Sequence, residues 1–251
     1  MNKIRQSPKV GIIGFGRFGP VLVRMLTPAH EVVVYDIADV AERARSAGVR
    51  AAEWQEVTTA DTVFLAVPIR RLKEVVARLQ EGLRPGTTVI DVCSVKVYPA
   101  TVMREHFGPE ITSIATHPLF GPDSATEGFT SLKLMMAPVS ARNEKFEYWN
   151  DYFQSLGLDT LLMTPEEHDR LAARSQGITH FIGRVLEEFG IAHSEIDTEG
   201  FRDLYEVMEQ TRHDTMELFQ DLENFNPYTM EMVGQLIAAV ERVEQKIIRR
   251  D

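Results

Sequence analysis

Short apolar runs, separated by helical or turn-like stretches, make up the first two thirds of the chain. Runs of this length that end at glycine, proline or aspartate are typical of buried strands. The predicted strands are residues 9–14, 31–36, 62–67, 87–92, 111–116 and 132–137. Helical spacing occurs between them, in residues 21–26, 40–47 and 72–83. The alternation predicts an α/β fold with a doubly wound, mostly parallel sheet, and its opening order of strand, glycine turn, helix and strand favours the Rossmann type.

The pattern becomes helical after residue 163, and no further strand is predicted. Thr164 is placed to cap a helix, Pro165 suits its first position, and two acidic residues follow in the first turn. Two later stretches, residues 201–219 and 228–248, each have the pattern of one long amphipathic helix.

Two domains are therefore predicted, a dinucleotide-binding Rossmann domain over residues 1–163 and an all-helical domain over residues 164–251. A helical domain of this size with several apolar faces commonly needs a partner surface. We therefore expect a homodimer that forms through the helical domain.

Composition is that of an ordinary globular protein, with 44% hydrophobic and 25% charged residues. No apolar run approaches the roughly 20 residues that a membrane-spanning helix needs, and residues 1–10 lack the apolar core of a signal peptide. The single cysteine, Cys93, cannot form an intrachain disulfide. These features predict a protein of the reducing cytoplasm.

The formal net charge of -10 bears on the choice of partner. Nucleic acids and anionic membrane surfaces favour clustered lysine and arginine, so neither is expected to bind. No metal site is predicted, because His168 and Asp169 have no third potential ligand at suitable spacing. A small anionic substrate remains compatible with this charge if positive groups gather locally.

A glycine-rich turn follows the first strand and opens the first helix. It consists of Gly14, Phe15, Gly16, Arg17, Phe18 and Gly19. In a GxGxxG turn the first glycine permits the tight turn, the second lets the backbone approach a pyrophosphate, and the third lets the helix pack on the strand. The helix N-terminus adds N–H groups and a positive dipole end. A glycine turn without a ligand is the alternative, but the strand and helix around this turn favour dinucleotide binding.

Asp36 ends the second strand, where the ribose hydroxyls of the adenosine half are expected. A carboxylate there accepts a hydrogen bond from a 2′-hydroxyl and repels a 2′-phosphate, which favours NAD, with NADP as the alternative. The next residues, Ile37 and Ala38, offer no arginine for a phosphate. Asp36 also suits a helix N-cap, and the two roles are compatible. Val67 and Pro68 end the third strand, and we expect them to lie along the dinucleotide.

Two segments follow later strands at the same predicted edge of the sheet, DVCSVK at residues 91–96 and THPLFGP at residues 116–122. A third segment lies on a predicted helix of the second domain. There Gln176, His180 and Arg184 are spaced four residues apart, so all three are expected on one helical face.

These segments, with EEHDRLAARSQGITHFIGRVL and the later Asn226-Pro227-Tyr228, resemble the prephenate/arogenate dehydrogenase family over nearly the whole chain. The middle and later segments are most similar in appearance to plant arogenate dehydrogenases. The resemblance implies an oxidative decarboxylation in tyrosine biosynthesis. A cyclohexadienol transfers a hydride to the nicotinamide and loses carbon dioxide, and its ring becomes aromatic. The enzyme's tasks are then to align the substrate and to activate its hydroxyl.

The resemblance also implies residue roles. The family's histidine that hydrogen-bonds the ring hydroxyl corresponds to His117, and the serine that assists at this hydroxyl and near the nicotinamide corresponds to Ser94. The family's helical histidine, which helps to hold the substrate, corresponds to His180. Each has a structural alternative: Ser94 as a turn cap, His180 as a packed residue of a helical interface, and His117 as a satisfied structural histidine.

Charge and placement add three candidates for substrate binding. Lys96 and Arg184 are candidates for the substrate carboxylates, and Gln176 is a candidate polar contact. Solvated surface charge is the commoner fate of a lysine or arginine. The chain also departs from many bacterial prephenate dehydrogenases, because Glu206 occupies the position where an arginine is expected. A carboxylate at that position suits the ammonium group of arogenate, which prephenate lacks.

Two other functions remain open at this point. One is a related NAD(P)-dependent dehydrogenase for another small anionic metabolite, a class that usually relies on a lysine in the helical part. The other is a non-catalytic dinucleotide-binding sensor, which needs the glycine turn and Asp36 but neither Ser94 nor His117. The presence of both residues favours an enzyme.

Overall fold

The computed structural model describes residues 8–248. The chain divides into two compact units, of which the first ends at Pro165 and the second begins at Glu166. The predicted boundary, residue 163, lies two residues before this division.

The first unit is built on one eight-stranded sheet with the strand order β3-β2-β1-β4-β5-β6-β7-β8. Its strands are β1 Lys9–Ile13, β2 Glu31–Tyr35, β3 Arg50–Ala51, β4 Thr62–Leu65, β5 Thr88–Asp91, β6 Thr112–Pro118, β7 Lys133–Pro138 and β8 Asp159–Leu162. All neighbouring strands are parallel except β6 and β7. The predicted Rossmann-type, mostly parallel sheet is confirmed. Its central strands are buried on both faces, which explains why they appear in the sequence as continuous apolar runs.

Six helices connect these strands. They are α1 Gly19–Leu26, α2 Ala41–Ser46, α3 Trp54–Thr58, α4 Leu72–Gln80, α5 Val97–His106 and α6 Glu144–Ser155. Asn143 begins α6, because its side chain accepts hydrogen bonds from the backbone N–H groups of Lys145 and Phe146. The α6 side chain Trp149 is buried and stacks on His30 with ring centroids 5.0 Å apart.

Several elements of the first unit were not predicted, namely β3, α3, α5, α6 and β8. Three of them, β3, α3 and β8, have five residues or fewer, so they are too short to show a period. The predicted strand at 111–116 was placed too early, since β6 continues to Pro118. His117 therefore lies inside this strand rather than after it.

The described part of the second unit contains helices joined by short connections and no strand. Its elements are α7 Pro165–Ala172, a π-helical segment Ala173–Gly177, α8 Ile178–Phe189, α9 Glu199–Arg212, α10 Met216–Phe225 and α11 Thr229–Ile248. The prediction of one helix over 201–219 was wrong. The Thr215 hydroxyl accepts a hydrogen bond from the N–H of Leu218 and so begins a separate helix. Within residues 8–248, no helix combines the length and apolar character that crossing a membrane requires.

Candidate active site

The glycine turn has the geometry that its sequence predicts. Gly14 has a φ of 93°, and a Cβ there would lie 2.3 Å from the carbonyl oxygen of Ala66. A Cβ on Gly19 would lie 2.4 Å from the Phe15 ring. Gly16 is different, since a Cβ there would meet nothing within 4 Å. The first and third glycines are thus required by the fold, whereas the open space at Gly16 is where a ligand can approach the backbone.

Asp36 lies beside this turn. Its Oδ2 atom accepts a hydrogen bond of 2.7 Å from the N–H of Phe15, and its Oδ1 atom accepts one of 2.9 Å from the N–H of Ala38. The carboxylate is therefore held at the turn, where the ribose was expected. The alternative of a helix N-cap is wrong, because α2 begins at Ala41 and the N–H of that residue donates to Asp39.

The side chains between the three glycines have different environments. Phe15 is fully buried, so only its backbone is available to a dinucleotide. The Arg17 guanidinium is exposed and lies 3.4 Å from the Asp123 carboxylate, and the Phe18 ring packs against Phe120 at 6.1 Å. The loop that follows β6 therefore packs against the glycine turn.

The carboxyl end of β4 reaches the same turn. The Cγ1 atom of Val67 lies 3.0 Å from the position of a Cβ on Gly14, and Pro68 follows as an exposed residue. One further residue that was not predicted from the sequence contacts the glycine turn. Arg43 of α2 donates a 3.2 Å hydrogen bond to the carbonyl of Gly16. Seven positions separate Arg43 from Asp36, so the local sequence gave no signal that they serve one turn.

Ser94 follows β5, and His117 lies in the neighbouring strand β6, at the same edge of the sheet. In the parallel pair β5–β6, Asp91 is in register with Ala115. Ser94 is half-buried and lies three residues beyond Asp91, while His117 is buried and lies two residues beyond Ala115. The structure thus places both predicted catalytic residues at the carboxyl edge of the parallel strands, where the glycine turn also lies.

A buried ion pair joins these two strand ends. The Lys96 ammonium contacts the Asp91 carboxylate and donates a 2.6 Å hydrogen bond to the carbonyl of Thr116, the residue before His117. The Thr116 hydroxyl donates to the carbonyl of Asp91 at 2.6 Å. Burial raises the pKa of Asp91, and the Lys96 ammonium opposes this shift. The pair therefore cross-links the segments that carry Ser94 and His117.

This geometry corrects the role predicted for Lys96. Its side chain has no exposed surface and is already bonded within the sheet, so it is not placed to contact a substrate carboxylate. The local spacing of Asp91 and Lys96 does not distinguish a buried ion pair from a solvated lysine, so the sequence carried no signal of this burial.

In the second unit, His180 and Arg184 lie close together on α8. His180 is buried with its Nε2 atom 3.9 Å from the Asp214 carboxylate. Burial lowers its pKa, Asp214 acts to raise it, and Arg184 acts to lower it. The Arg184 guanidinium donates to Glu187 at 2.9 Å and to the carbonyl of Asp214 at 2.6 Å. These bonds argue against the predicted role of Arg184 as a carboxylate clamp. Gln176 is half-buried in the π-helical segment.

Two protein families match this sequence. The prephenate dehydrogenase nucleotide-binding domain matches residues 22–161, more than half of the chain, and the TYRAAT1-like C-terminal domain matches residues 185–251. The chain belongs to the prephenate dehydrogenase family. Two curated relatives of this chain come from Arabidopsis thaliana. Arogenate dehydrogenase 2, chloroplastic, is 31% identical over 96% of this chain and 70% of its own length. Arogenate dehydrogenase 1, chloroplastic, is 30% identical over 96% of this chain but only 39% of its own length.

A solved structure supports the fold. Prephenate dehydrogenase from A. aeolicus, in complex with hydroxyphenyl propionate and NAD+, has a TM-score of 0.81 at 19% identity and covers 98% of this chain and 93% of its own. The predictions of the family, of plant-type closeness, and of an NAD(P)-dependent dehydrogenase are confirmed.

Proposed function

We propose that this member of the prephenate dehydrogenase family catalyses the NAD(P)-dependent oxidative decarboxylation of arogenate in tyrosine biosynthesis. The observation that carries the proposal is the placement of Ser94, just after β5, and His117, at the end of the adjacent strand β6, at the edge that also holds the glycine turn. Relatives named arogenate dehydrogenase that cover 96% of the chain support the choice of substrate. Glu206, at the position where an arginine is expected, supports it independently, because a carboxylate suits an ammonium group.

The roles of the strand-edge residues follow from their chemistry. His117 accepts the proton of the ring hydroxyl as the carbon–hydrogen bond at the same carbon breaks, and an imidazole suits this because its pKa lies near neutrality. Ser94 hydrogen-bonds the same oxygen and orients it. The bound nicotinamide supplies the acceptor for the hydride. Loss of carbon dioxide returns an electron pair to the ring, and the proton held by His117 returns to the phenolic oxygen.

Substrate contacts from the helical unit are part of the same proposal. His180, whose pKa is lowered by burial, is the candidate hydrogen-bonding group, and Gln176 is the candidate polar contact. The buried Lys96 is proposed as a positioning residue, because it holds together the chain segments that carry Ser94 and His117. We further propose a homodimer formed through the helical unit and a cytoplasmic location, although the two plant relatives are named chloroplastic.

The direct test offers arogenate and prephenate separately, each with NAD and with NADP, and follows nicotinamide reduction. Turnover with arogenate and formation of tyrosine are expected. Turnover with prephenate alone would replace the substrate, and no turnover with either, while NADH still binds, would remove the catalytic proposal and leave a dinucleotide-binding protein.

The variant His117→Asn tests the proposed base. Asparagine keeps a hydrogen-bonding side chain but accepts no proton, so we expect kcat to fall by about 10²–10⁴-fold. NADH binding is expected to be unchanged, because His117 lies outside the glycine turn. Fluorescence titration with NADH is the control, and a variant with wild-type turnover would exclude His117 from proton transfer.

A further inference from the structure

The adenosine end of the dinucleotide site carries two opposed charges. Asp36 accepts a hydrogen bond from the N–H of Phe15, and Arg43 donates one to the carbonyl of Gly16. The two side chains thus contact consecutive residues of one turn, although they come from the end of β2 and from α2. A carboxylate at this place favours a ribose hydroxyl, whereas a guanidinium favours a phosphate.

Arg43 is exposed, and it has room beside it for a ligand. An open groove of about 390 Å³ is lined by Pro20, Glu42, Arg43, Ser46 and Ala47. The Arg43 guanidinium lies 5.4 Å from the centre of the buried Phe15 ring, which supports its position above the turn. Its bond to Gly16 uses one of the five N–H donors of an arginine. The Ser46 hydroxyl adds a further donor on the same helix.

We propose that Arg43 is a specificity-determining residue that binds the 2′-phosphate of NADP, so that this site accepts NADP as well as NAD. Asp36 selects the 2′-hydroxyl of NAD, and Arg43 offsets its repulsion of the phosphate. Glu42 lines the same groove and limits this effect, because its carboxylate also repels a phosphate. The proposal concerns only the binding of the dinucleotide, so its test does not depend on which substrate the enzyme uses.

Another role of Arg43 would have a different signature. A guanidinium that stacks on adenine or contacts the pyrophosphate serves NAD and NADP equally, since they share both groups. Only contact with the 2′-phosphate separates the two dinucleotides. The affinity ratio for the reduced forms is therefore the quantity to measure.

The experiment titrates NADH and NADPH by nicotinamide fluorescence into the wild-type protein, Arg43→Ala and Arg45→Ala, without substrate. Arg45 is the matched control, because it is an exposed arginine on the same helix and does not line the groove. We expect Arg43→Ala to weaken NADPH binding about tenfold or more, as loss of a charge-assisted contact implies. NADH binding is expected to change less than roughly twofold in both variants.

Two competitors isolate the phosphate itself. We expect 2′,5′-ADP to displace NADPH less well from Arg43→Ala than from the wild type, and 5′-AMP to be equally effective on both. Equal weakening of NADH and NADPH, or no change in either, would overturn the proposal. If circular dichroism shows that Arg43→Ala does not fold, the ratio of the NADH and NADPH affinities is measured for Arg43→Lys instead. It keeps the charge but loses bidentate geometry, so an unchanged ratio would also count against the guanidinium.

Discussion

At the scale of single residues, the charged side chains have other partners than the sequence led us to expect. Lys96 and Arg184 were candidates for the substrate carboxylates, yet both are bonded inside their own units. Lys96 pairs with Asp91 and binds the carbonyl of Thr116, so it links its own segment, which carries Ser94, to the strand end that carries His117. A fully buried ammonium is stable only with such partners, because desolvation penalises an unpaired charge by several kcal/mol.

The variant Lys96→Met tests this structural role. It leaves the buried Asp91 carboxyl without its cation, and the free energy of unfolding in urea is expected to fall by about 3–5 kcal/mol. Replacing Asp91 by Asn in the same chain removes the unpaired charge, so the double variant is expected to recover part of the loss.

Lys73→Met is the matched control, since Lys73 is an exposed residue of α4 and its loss is expected to cost less than about 0.5 kcal/mol. Equal unfolding free energies for Lys96→Met and Lys73→Met would contradict the structural role of the buried pair.

At the scale of elements, two local features shape the helical unit: the close approach of α8 to α9 and the π-helical segment before α8. A Cβ on Gly183 of α8 would lie 2.2 Å from the Thr211 hydroxyl of α9, so the glycine sets how closely these helices pack. The π-helical segment precedes α8, and Glu223 of α10, a half-buried residue with buried carboxylate oxygens, lies near it: its Oε2 atom is 3.8 Å from the position of a Cβ on Gly177. Neither arrangement has a signature in the hydrophobic period.

The variant Gly183→Ala measures the α8–α9 contact. The added methyl group meets the Thr211 side chain, and overpacking of this kind costs about 1–3 kcal/mol of unfolding free energy. Gly200→Ala on α9 is the control, because a Cβ there meets nothing within 4 Å. If both variants unfold at the same urea concentration as the wild type, the helices are not held at this distance by the glycine.

Glu223 gives the helical unit a pH-dependent stability. Burial raises its pKa to about 7 from 4.5, and the Thr229 hydroxyl opposes the shift. The folded state therefore keeps a proton that the unfolded chain has released, so this contribution to stability is present at low pH and is lost as pH rises through about 4.5 to 7.

We expect Glu223→Gln to be more stable relative to the wild type at about pH 8 than at about pH 5, because glutamine never ionises. Urea unfolding at the two pH values measures the difference. If variant and wild type differ in unfolding free energy by the same amount at both pH values, Glu223 does not titrate between them.

At the scale of the whole molecule, the apolar surface of α11 bears on assembly. Met230, Ile237, Val240 and Ile247 are each more than half exposed, and their spacing places them on one stripe of about 100°. Unpartnered apolar stripes of this kind are typical of interfaces. This surface supports the proposed homodimer.

The variant Val240→Glu places a charge in the middle of this stripe. Sedimentation velocity is expected to find a dimer for the wild-type chain and a shift towards monomer for the variant, since an interface disfavours an unpaired buried charge. Ile37→Glu, which changes an exposed apolar residue of the first unit, is expected to leave the dimer intact. A monomeric wild type, or a dimeric Val240→Glu, would remove α11 from the interface.

The sequence by itself determined the glycine turn, the central strands, the helix start at Pro165 and the family. These features depend on the local hydrophobic period and on residue types at fixed spacing. They can therefore be predicted without knowing which distant residues come into contact. Glycines at Gly14 and Gly19 are required because any side chain there would collide with atoms of the turn itself or of the adjoining strand end.

Only the tertiary structure decided the burial of Lys96, the approach of Arg43 to Gly16, the reversal of direction between β6 and β7, and the break between α9 and α10. A lysine has the same local sequence signature whether it is solvated or paired with a carboxylate on a strand end. An arginine on one helix reaches another loop only through the packing of both on the sheet. Such outcomes depend on contacts between positions distant in sequence, which the hydrophobic pattern does not encode.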